Sequence, residues 1–165
     1  MRDPIVRFLG TYRFLSNFYP SPMRVFDEVL EQEVTVPSVE HGYQADKTLQ
    51  PLWRKAMLIG TKDEAGIVVP TAAEVKKLGQ QVELRPDWDD VFKVKCMMRW
   101  LRLKFQDWDL RKKLLATEDA QIVEGTTWHD RFWGICTCDQ HKGEGQNYLG
   151  RALMKLRQEI LDSEA

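Results

Sequence analysis

Cysteine is scarce and odd in number: the 165 residues hold three, Cys96, Cys136 and Cys138. A disulfide framework is thereby excluded, and a reducing compartment is expected. Long apolar runs are missing as well, and the opening Met1-Arg2-Asp3-Pro4 lacks the apolar stretch of a secretory leader. No membrane partner is expected, and the two absences together point to a cytoplasmic protein. Excess charge of either sign is also absent, since 24 Lys and Arg face 25 Asp and Glu for a formal net charge of −1. Bulk attraction to nucleic acid is not expected from such a balance. Gly and Pro, 10 and 7 residues, are scattered and form no linker, and no segment repeats. One domain over residues 1–165 is expected, long enough to bury roughly 70% of its unfolded surface. Tryptophan is frequent for so rare a residue, with six copies. Such rings fill cores and also stack on bases or sugars.

The first third reads as strands and turns. Ile5 to Leu9 is apolar and stops at Gly10; Phe14 to Phe18 runs into the prolines Pro20 and Pro22. Pieces around Val25-Phe26 and Val34 to Val36 predict a small antiparallel sheet. Helices follow. Ser38 caps a helix over 39–49, and a second runs from Pro51 to Ile59 with Gly60 as its stop. Thr71 to Glu74 is a capping box for a helix ending near Gly79. A long helix is expected from Pro86 to about Phe105, with Val91, Val94, Met97, Met98, Leu101 and Phe105 on its apolar face. Asp107 or Asp109 caps a short helix through Leu115, and Ile122-Val123 is extended. Asn147 caps a last helix to about Asp162, with Leu149, Leu153, Leu156 and Ile160 buried and Met154 flanking. The fold class is mainly α, with a small antiparallel β element near the N-terminus.

Charge is uneven locally. Residues 27–46 hold six acids and no Lys or Arg, whereas residues 91–113 hold eight Lys or Arg against two Asp. The basic run is either a solvated helix face or an attraction for phosphate, and spacing does not separate the two. In the helix from Ser38, steps of about 100° place Glu40, Gln44 and Lys47 on one side. That stripe joins an acid, an amide and an amine, either a surface ion pair or a proton-transfer group beside a nucleophile. Between Val123 and Gly134, two carboxylates and three aromatic rings crowd twelve residues. The segment is a packed loop or a pocket wall that stacks a base. The Gly143-Glu144-Gly145 loop ahead of Asn147 is a plain loop or a phosphate-binding helix start. Cys136-x-Cys138 with His141 invites a zinc reading, but the pair is too tight for usual ligand spacing and lacks an evident fourth ligand. No metal and no cofactor are expected. Walker, dinucleotide and Gly-x-Ser-x-Gly motifs are absent.

Several pieces fall in a familiar order. They are Phe14-Leu15-Ser16-Asn17-Phe18-Tyr19-Pro20, Val36 to His41 with Gln44-Ala45-x-Lys47, and Arg85-Pro86-Asp87-Trp88-Asp89. Further on come Met98 leading to Lys104-Phe105, Leu114-Leu115-x-Thr117, Val123-Glu124 with Trp133-Gly134, and Gly145-x-Asn147-x-Leu149-Gly150 with Leu153-Met154 and Arg157. Across nearly the whole chain this order resembles the NADAR (YbiA-like) family. The resemblance implies a compact orthogonal helical array that acts as a metal-independent N-glycosidase. Two substrate classes go with it: guanine-type bases bearing ADP-ribose, in nucleotides or DNA, and early ribosylamino-pyrimidine phosphates of riboflavin synthesis. Residue by residue it implies catalytic roles for Glu40 and Lys47. It also places Asn17, Trp88, Glu124, Asp130, Trp133, Gly134, Gly145 and Asn147 around the pocket. We expect Glu124 and Asp130 as further catalytic carboxylates, Gln44 as a substrate contact, and Arg85 with the Gly145–Asn147 helix start as phosphate contacts. Cys136, Cys138 and His141 depart from the family pattern. Lys47 either forms a Schiff base with the sugar while Glu40 moves protons, or acts as a fixed charge while Glu40 or Asp130 activates water. Outside the enzyme class stand a non-catalytic ADP-ribose or nucleotide-binding module and a helical adaptor, the latter requiring an exposed Glu40–Gln44–Lys47 stripe.

Overall fold

Ser38 takes extended backbone angles and its hydroxyl accepts the His41 N–H, so helix α1, Val39–Asp46, begins where a cap residue stands. This description comes from a computed structural model that covers residues 2–165. The chain divides into two compact units, Asn17–Lys104 and a second made of the segment up to Ser16 with Phe105–Ala165.

In the first unit, β1 (Met23–Asp27) pairs antiparallel with β2 (Gln32–Val36), with Met23 opposite Val36 and Asp27 opposite Gln32. Helix α1 follows, then α2 (Pro51–Leu58), whose Pro51 sits in the first turn where its missing N–H costs nothing. The sequence reading has no strands between Gly60 and Thr71, yet β3 (Thr61–Asp63) and β4 (Gly66–Val68) form a short hairpin. Its turn is made by Asp63, whose Oδ1 accepts the N–H groups of Ala65 and Gly66 at 2.8 and 3.0 Å. Helix α3, Ala72–Gly79, opens on the expected capping box between Thr71 and Glu74. Helix α4, Asp90–Lys104, starts four residues later than expected. Arg85 to Asp89 is a turn instead, held by Trp88 N–H on the Arg85 carbonyl, and the Asp89 carboxylate accepts the Phe92 N–H. Val91 therefore lies in the first helical turn and is exposed rather than buried.

In the second unit the N-terminal segment is not all strands and turns. Gly10, at φ 54°, opens a 3-10 turn over Gly10–Leu15 that buries Phe14 and Leu15. Ile5 contributes a parallel bridge to Ile122 and no longer strand. Helix α5, Trp108–Leu115, is capped by Asp107. Strands β5 (Gly125–Thr126) and β6 (Ile135–Cys136) pair parallel. Helix α6, Tyr148–Glu164, buries Leu149, Leu153, Leu156 and Ile160 as the three-four spacing predicts. Helix dominates both units, so the mainly α class holds. Among the described residues no helix is long and apolar enough to cross a membrane.

Candidate active site

Every residue of α1 is buried, although the helix carries Glu40, His41, Gln44 and Asp46. A buried polar helix needs a partner for each polar group. Trp100 Nε1 donates to Asp46 Oδ2 at 2.6 Å, and Arg54 Nη2 lies 3.6 Å from Asp46 Oδ1. Arg54 also grips Asp27 and donates to the Ala45 and Thr48 carbonyls. Burial alone would raise the Asp27 carboxyl, but Arg54 and the N–H groups of Leu30 and Val29 bring it below its ordinary value. Asp46 goes the other way, raised by burial against the pull of Trp100 and Arg54. His41 Nε2–H donates to the Pro70 carbonyl at 2.7 Å, which leaves Nδ1 to accept from the Ser38 hydroxyl, also at 2.7 Å. Its pKa is lowered by burial, with the Pro70 carbonyl opposing. Gly42 lets the Trp100 indole rest on the helix backbone; a Cβ there would overlap the ring. Three of the six local acids the sequence grouped at 27–46 are thus buried in this unit.

Glu40, Gln44 and Lys47 share one face, as the helical spacing requires, but that face is not a solvated stripe. Glu40 and Gln44 are 6% and 4% exposed, and Gln44 Nε2 donates to Glu40 Oε1 at 2.8 Å. Gln44 Oε1 is left without a hydrogen-bond partner among the described residues, beside Gly79, where a Cβ would overlap it. Asn17 adds a second such buried acceptor, Oδ1, while its carbonyl accepts the Glu40 N–H at 3.1 Å and its Nδ2 reaches Met97 Sδ. Lys47, half-buried at the C-cap, holds its Nζ 5.5 Å from the Tyr43 ring centroid. Burial lowers the Lys47 pKa, the Glu40 carboxylate opposes this, and Lys76 and Lys93 add to the lowering. Burial wins, so the neutral amine is easier to reach than in an ordinary lysine.

An aromatic and cationic wall continues from Lys47. The Trp88 ring stands 5.5 Å from Tyr43 and 5.8 Å from Phe92. Arg85 donates its backbone N–H to the Lys47 carbonyl at 2.8 Å and lays its guanidinium 4.5 Å over the Phe92 ring. Its Nε is already paired with Asp87 at 2.5 Å. Asn17, Glu40, Gln44, Lys47, Arg85 and Trp88 therefore belong to one unit. Three of the eight basic residues at 91–113 form ion pairs within the protein: Lys93 with Asp90, Lys112 with Asp109 and Arg111 with Glu164.

The remaining candidates all lie in the other unit, where folding uses most of their polar atoms. Asn147 occupies the cap position of α6 but makes no side-chain cap; it holds φ 51°. Its Oδ1 accepts the Glu124 N–H at 3.0 Å and its Nδ2 donates to the Ile122 carbonyl at 2.9 Å. The expected phosphate site at this helix start is not open. The N–H groups of Gln146, Tyr148 and Leu149 donate to the carbonyls of Arg131, Phe132 and Trp133 at 2.8 to 3.1 Å. Gly134 and Gly145 serve close packing: a Cβ on Gly145 would overlap the Gly134 carbonyl, and one on Gly134 would crowd the Glu124 carbonyl. Asp130 Oδ1 accepts the N–H groups of Phe132 and Trp133 at 3.1 and 2.9 Å, which shapes the turn. Glu124 and Trp133 are half-buried, with Trp133 set 4.8 Å from Phe132. A hollow of about 390 Å³ in this unit is lined by Arg2, Tyr12 and Thr117 among others and contains none of the candidates. The sequence reading missed Lys104, which is 1% exposed and has its pKa lowered by burial to about 7. A lysine ending an amphipathic helix gives no local sign of burial.

The motif order implied roles for Glu40 and Lys47, and comparison with known proteins defines the class. The NADAR domain model matches residues 7–161, and the chain belongs to the NADAR family. It is 34% identical over 164 residues to N-glycosidase YbiA of Escherichia coli strain K12, covering 97% of this chain and 91% of that one. N-glycosidase Npun_R5314 of Nostoc punctiforme is 36% identical over 156 residues, 90% of this chain and 86% of the relative. The chloroplastic riboflavin biosynthesis protein PYRR of Zea mays is 35% identical over 154 residues, and the match spans 88% of this chain but 23% of that longer protein. The NMR structure of E. coli YbiA aligns with a TM-score of 0.74 at 33% identity, over 99% of this chain and 89% of the other.

Proposed function

We propose that the chain is an N-glycosidase, a hydrolase acting on N-glycosyl bonds of a phosphorylated ribosyl substrate, with Glu40 and Lys47 at its centre. The observation that carries this reading is the α1 face. A buried carboxylate is oriented by Gln44, and an amine on the same face has its pKa lowered by burial. Relatives named N-glycosidases support the reaction class. In this reading the neutral Lys47 amine bonds to C1 of the opened ribosyl imine. The base nitrogen leaves with a proton delivered by Glu40, and water then hydrolyses the lysine imine to free the sugar and restore the amine. The Tyr43–Trp88–Phe92 rings supply a face for the base. Lys76 and Lys93 lie close enough to Lys47 to lower its pKa, and the three amines supply positive charge for phosphate.

The substrate is an ADP-ribosyl group on a guanine-type base, free or in DNA. A second reading, an early ribosylamino-pyrimidine phosphate, is favoured by the relative named for riboflavin biosynthesis. Turnover of ADP-ribosylated guanosine, ADP-ribosylated DNA and the ribosylamino-pyrimidine phosphate, measured side by side, ranks these substrates. Borohydride added during turnover should trap the sugar on Lys47. Hydrolysis without such an adduct removes the imine step and leaves Lys47 as a fixed charge. Binding of all three substrates with no hydrolysis of any would make the chain a nucleotide-binding module instead. The adaptor alternative needs an exposed Glu40–Gln44–Lys47 stripe, and Glu40 and Gln44 are buried.

A further inference from the structure

The loop that departs from the family pattern gathers chemistry unrelated to the α1 face. Cys136 ends β6 and Cys138 follows two residues later, so both side chains lie on the same side of an extended segment. Their sulfurs are 3.0 Å apart and both cysteines are free thiols. The close spacing along the chain is therefore no obstacle to their sharing a ligand. The turn at His129, which holds φ 64°, brings its Nδ1 to 3.4 Å from Cys138 Sγ and 3.7 Å from Cys136 Sγ. Among the described residues, these three form a group whose ligand atoms all lie within 4.8 Å of one another. His141 stands beside this group, its ring centroid 5.3 Å from that of His129 and its Nδ1 3.6 Å from Glu144 Oε2, with its ring nitrogens outside the 4.8 Å cluster.

We propose that His129, Cys136 and Cys138 form the preassembled part of a structural site for one thiophilic divalent cation, zinc by its chemistry, with the neighbouring His141 ring turning in as the fourth ligand. Two thiolates and two imidazoles are the donor set of closed tetrahedral zinc sites. With Zn–S of about 2.3 Å and Zn–N of about 2.0 Å, a tetrahedral ion sets sulfur–nitrogen separations near ~3.5 Å and sulfur–sulfur near ~3.7 Å. The two Sγ–Nδ1 distances already bracket the first value, and a small rotation of half-buried Cys138 supplies the second. Glu144, paired with Arg131 at 2.7 Å, stands behind His141 as the carboxylate that orients a ligating imidazole. On binding, the two thiols release their protons to solvent and the ion's two positive charges are balanced by two thiolates.

The site also answers a structural need. From Thr137 to Gln146 only Cys138 and His141 are even half-buried, so this stretch has no apolar core of its own. It is tied by the Cys136 N–H to the Glu144 carbonyl and the Gly143 N–H to the Cys136 carbonyl. An ion held by His129 and the two cysteines would fix both ends of the segment that carries Asp130 and Trp133.

Metal content of the reduced full-length chain, purified and loaded with zinc alone, should be one ion per chain, released by a chelator. Cobalt in its place should give the near-ultraviolet thiolate charge-transfer band of a two-sulfur site. Loading should protect Cys136 and Cys138 from alkylation, with Cys96 as the internal control. Cys138→Ser and His141→Ala, chosen because Cys136 is buried and checked for unchanged circular dichroism, should each weaken zinc binding by at least about tenfold. Chelation should speed tryptic cleavage after Arg131 and Lys142 several-fold. Zinc binding that Cys138→Ser leaves intact, a cobalt complex without the thiolate band, or a Cys136–Cys138 disulfide that persists in reduced, zinc-loaded protein would each overturn the proposal. These readouts are independent of whether any N-glycoside is hydrolysed.

Discussion

Helix α1 and the segment from Glu124 to Asn147 both concentrate polar residues, and they use them in opposite ways. In α1 the helix satisfies its own backbone, so its side chains are available to one another, as in the Gln44–Glu40 hydrogen bond, and one acceptor on the helix, Gln44 Oε1, remains unpaired among the described residues. In Glu124–Asn147 there is almost no regular structure, and the side chains of Asp130 and Asn147 complete the backbone instead. Regular structure thus leaves side chains open for chemistry, whereas irregular structure draws them into holding the chain together.

Kinetic substitution breaks or sharpens this contrast most strongly. Glu40→Gln keeps the shape and the acceptor for Gln44 but removes the proton, so turnover should fall by about 10²–10⁴-fold with substrate affinity retained. A measured loss under tenfold would remove α1 from the reaction. Stability effects come next. Gly42→Ala forces a methyl into the Trp100 indole and should cost about 1–3 kcal/mol in urea unfolding. Asn147→Ala leaves the Glu124 N–H and the Ile122 carbonyl unpaired, and a loss of about 1–3 kcal/mol per buried group is expected by the same measurement. Its effect on activity should follow the folded fraction alone.

A smaller effect concerns pH. Lys104 titrates near 7 in the folded chain and at the ordinary 10.5 when unfolded, because burial disfavours its charge. Between those values the unfolded chain holds the extra proton, so stability should rise with pH over that window and the penalty should be complete below it. Lys104→Met should flatten this rise in unfolding curves taken between about pH 6 and about 10. The smallest change is expected for Asp130→Asn, which keeps the Oδ1 acceptor for Phe132 and Trp133 and should alter turnover by only about two- to threefold. A fall as deep as that of Glu40→Gln would return Asp130 to the chemistry and erase the distinction drawn above.

Local signals in the sequence determined much of this molecule. Ser38, Thr71 and Asp107 cap helices because their side chains reach N–H groups three residues on, and Pro51 starts a helix for the same short-range reason. The buried Leu149, Leu153, Leu156 and Ile160 of α6 follow from its period, and the common face of Glu40, Gln44 and Lys47 follows from that of α1. Only tertiary structure decided that α1 is buried throughout, since Asp46 meets Trp100 across 54 residues of sequence and Asp27 meets Arg54 across 27. It likewise closed the N–H groups of α6 with carbonyls from Arg131 to Trp133, and brought His129 to Cys136 and Cys138. Caps and periods act within a turn or two of backbone and are written in neighbouring residues. Burial, pKa and ligand geometry depend on which distant groups arrive, and a linear pattern does not contain that information.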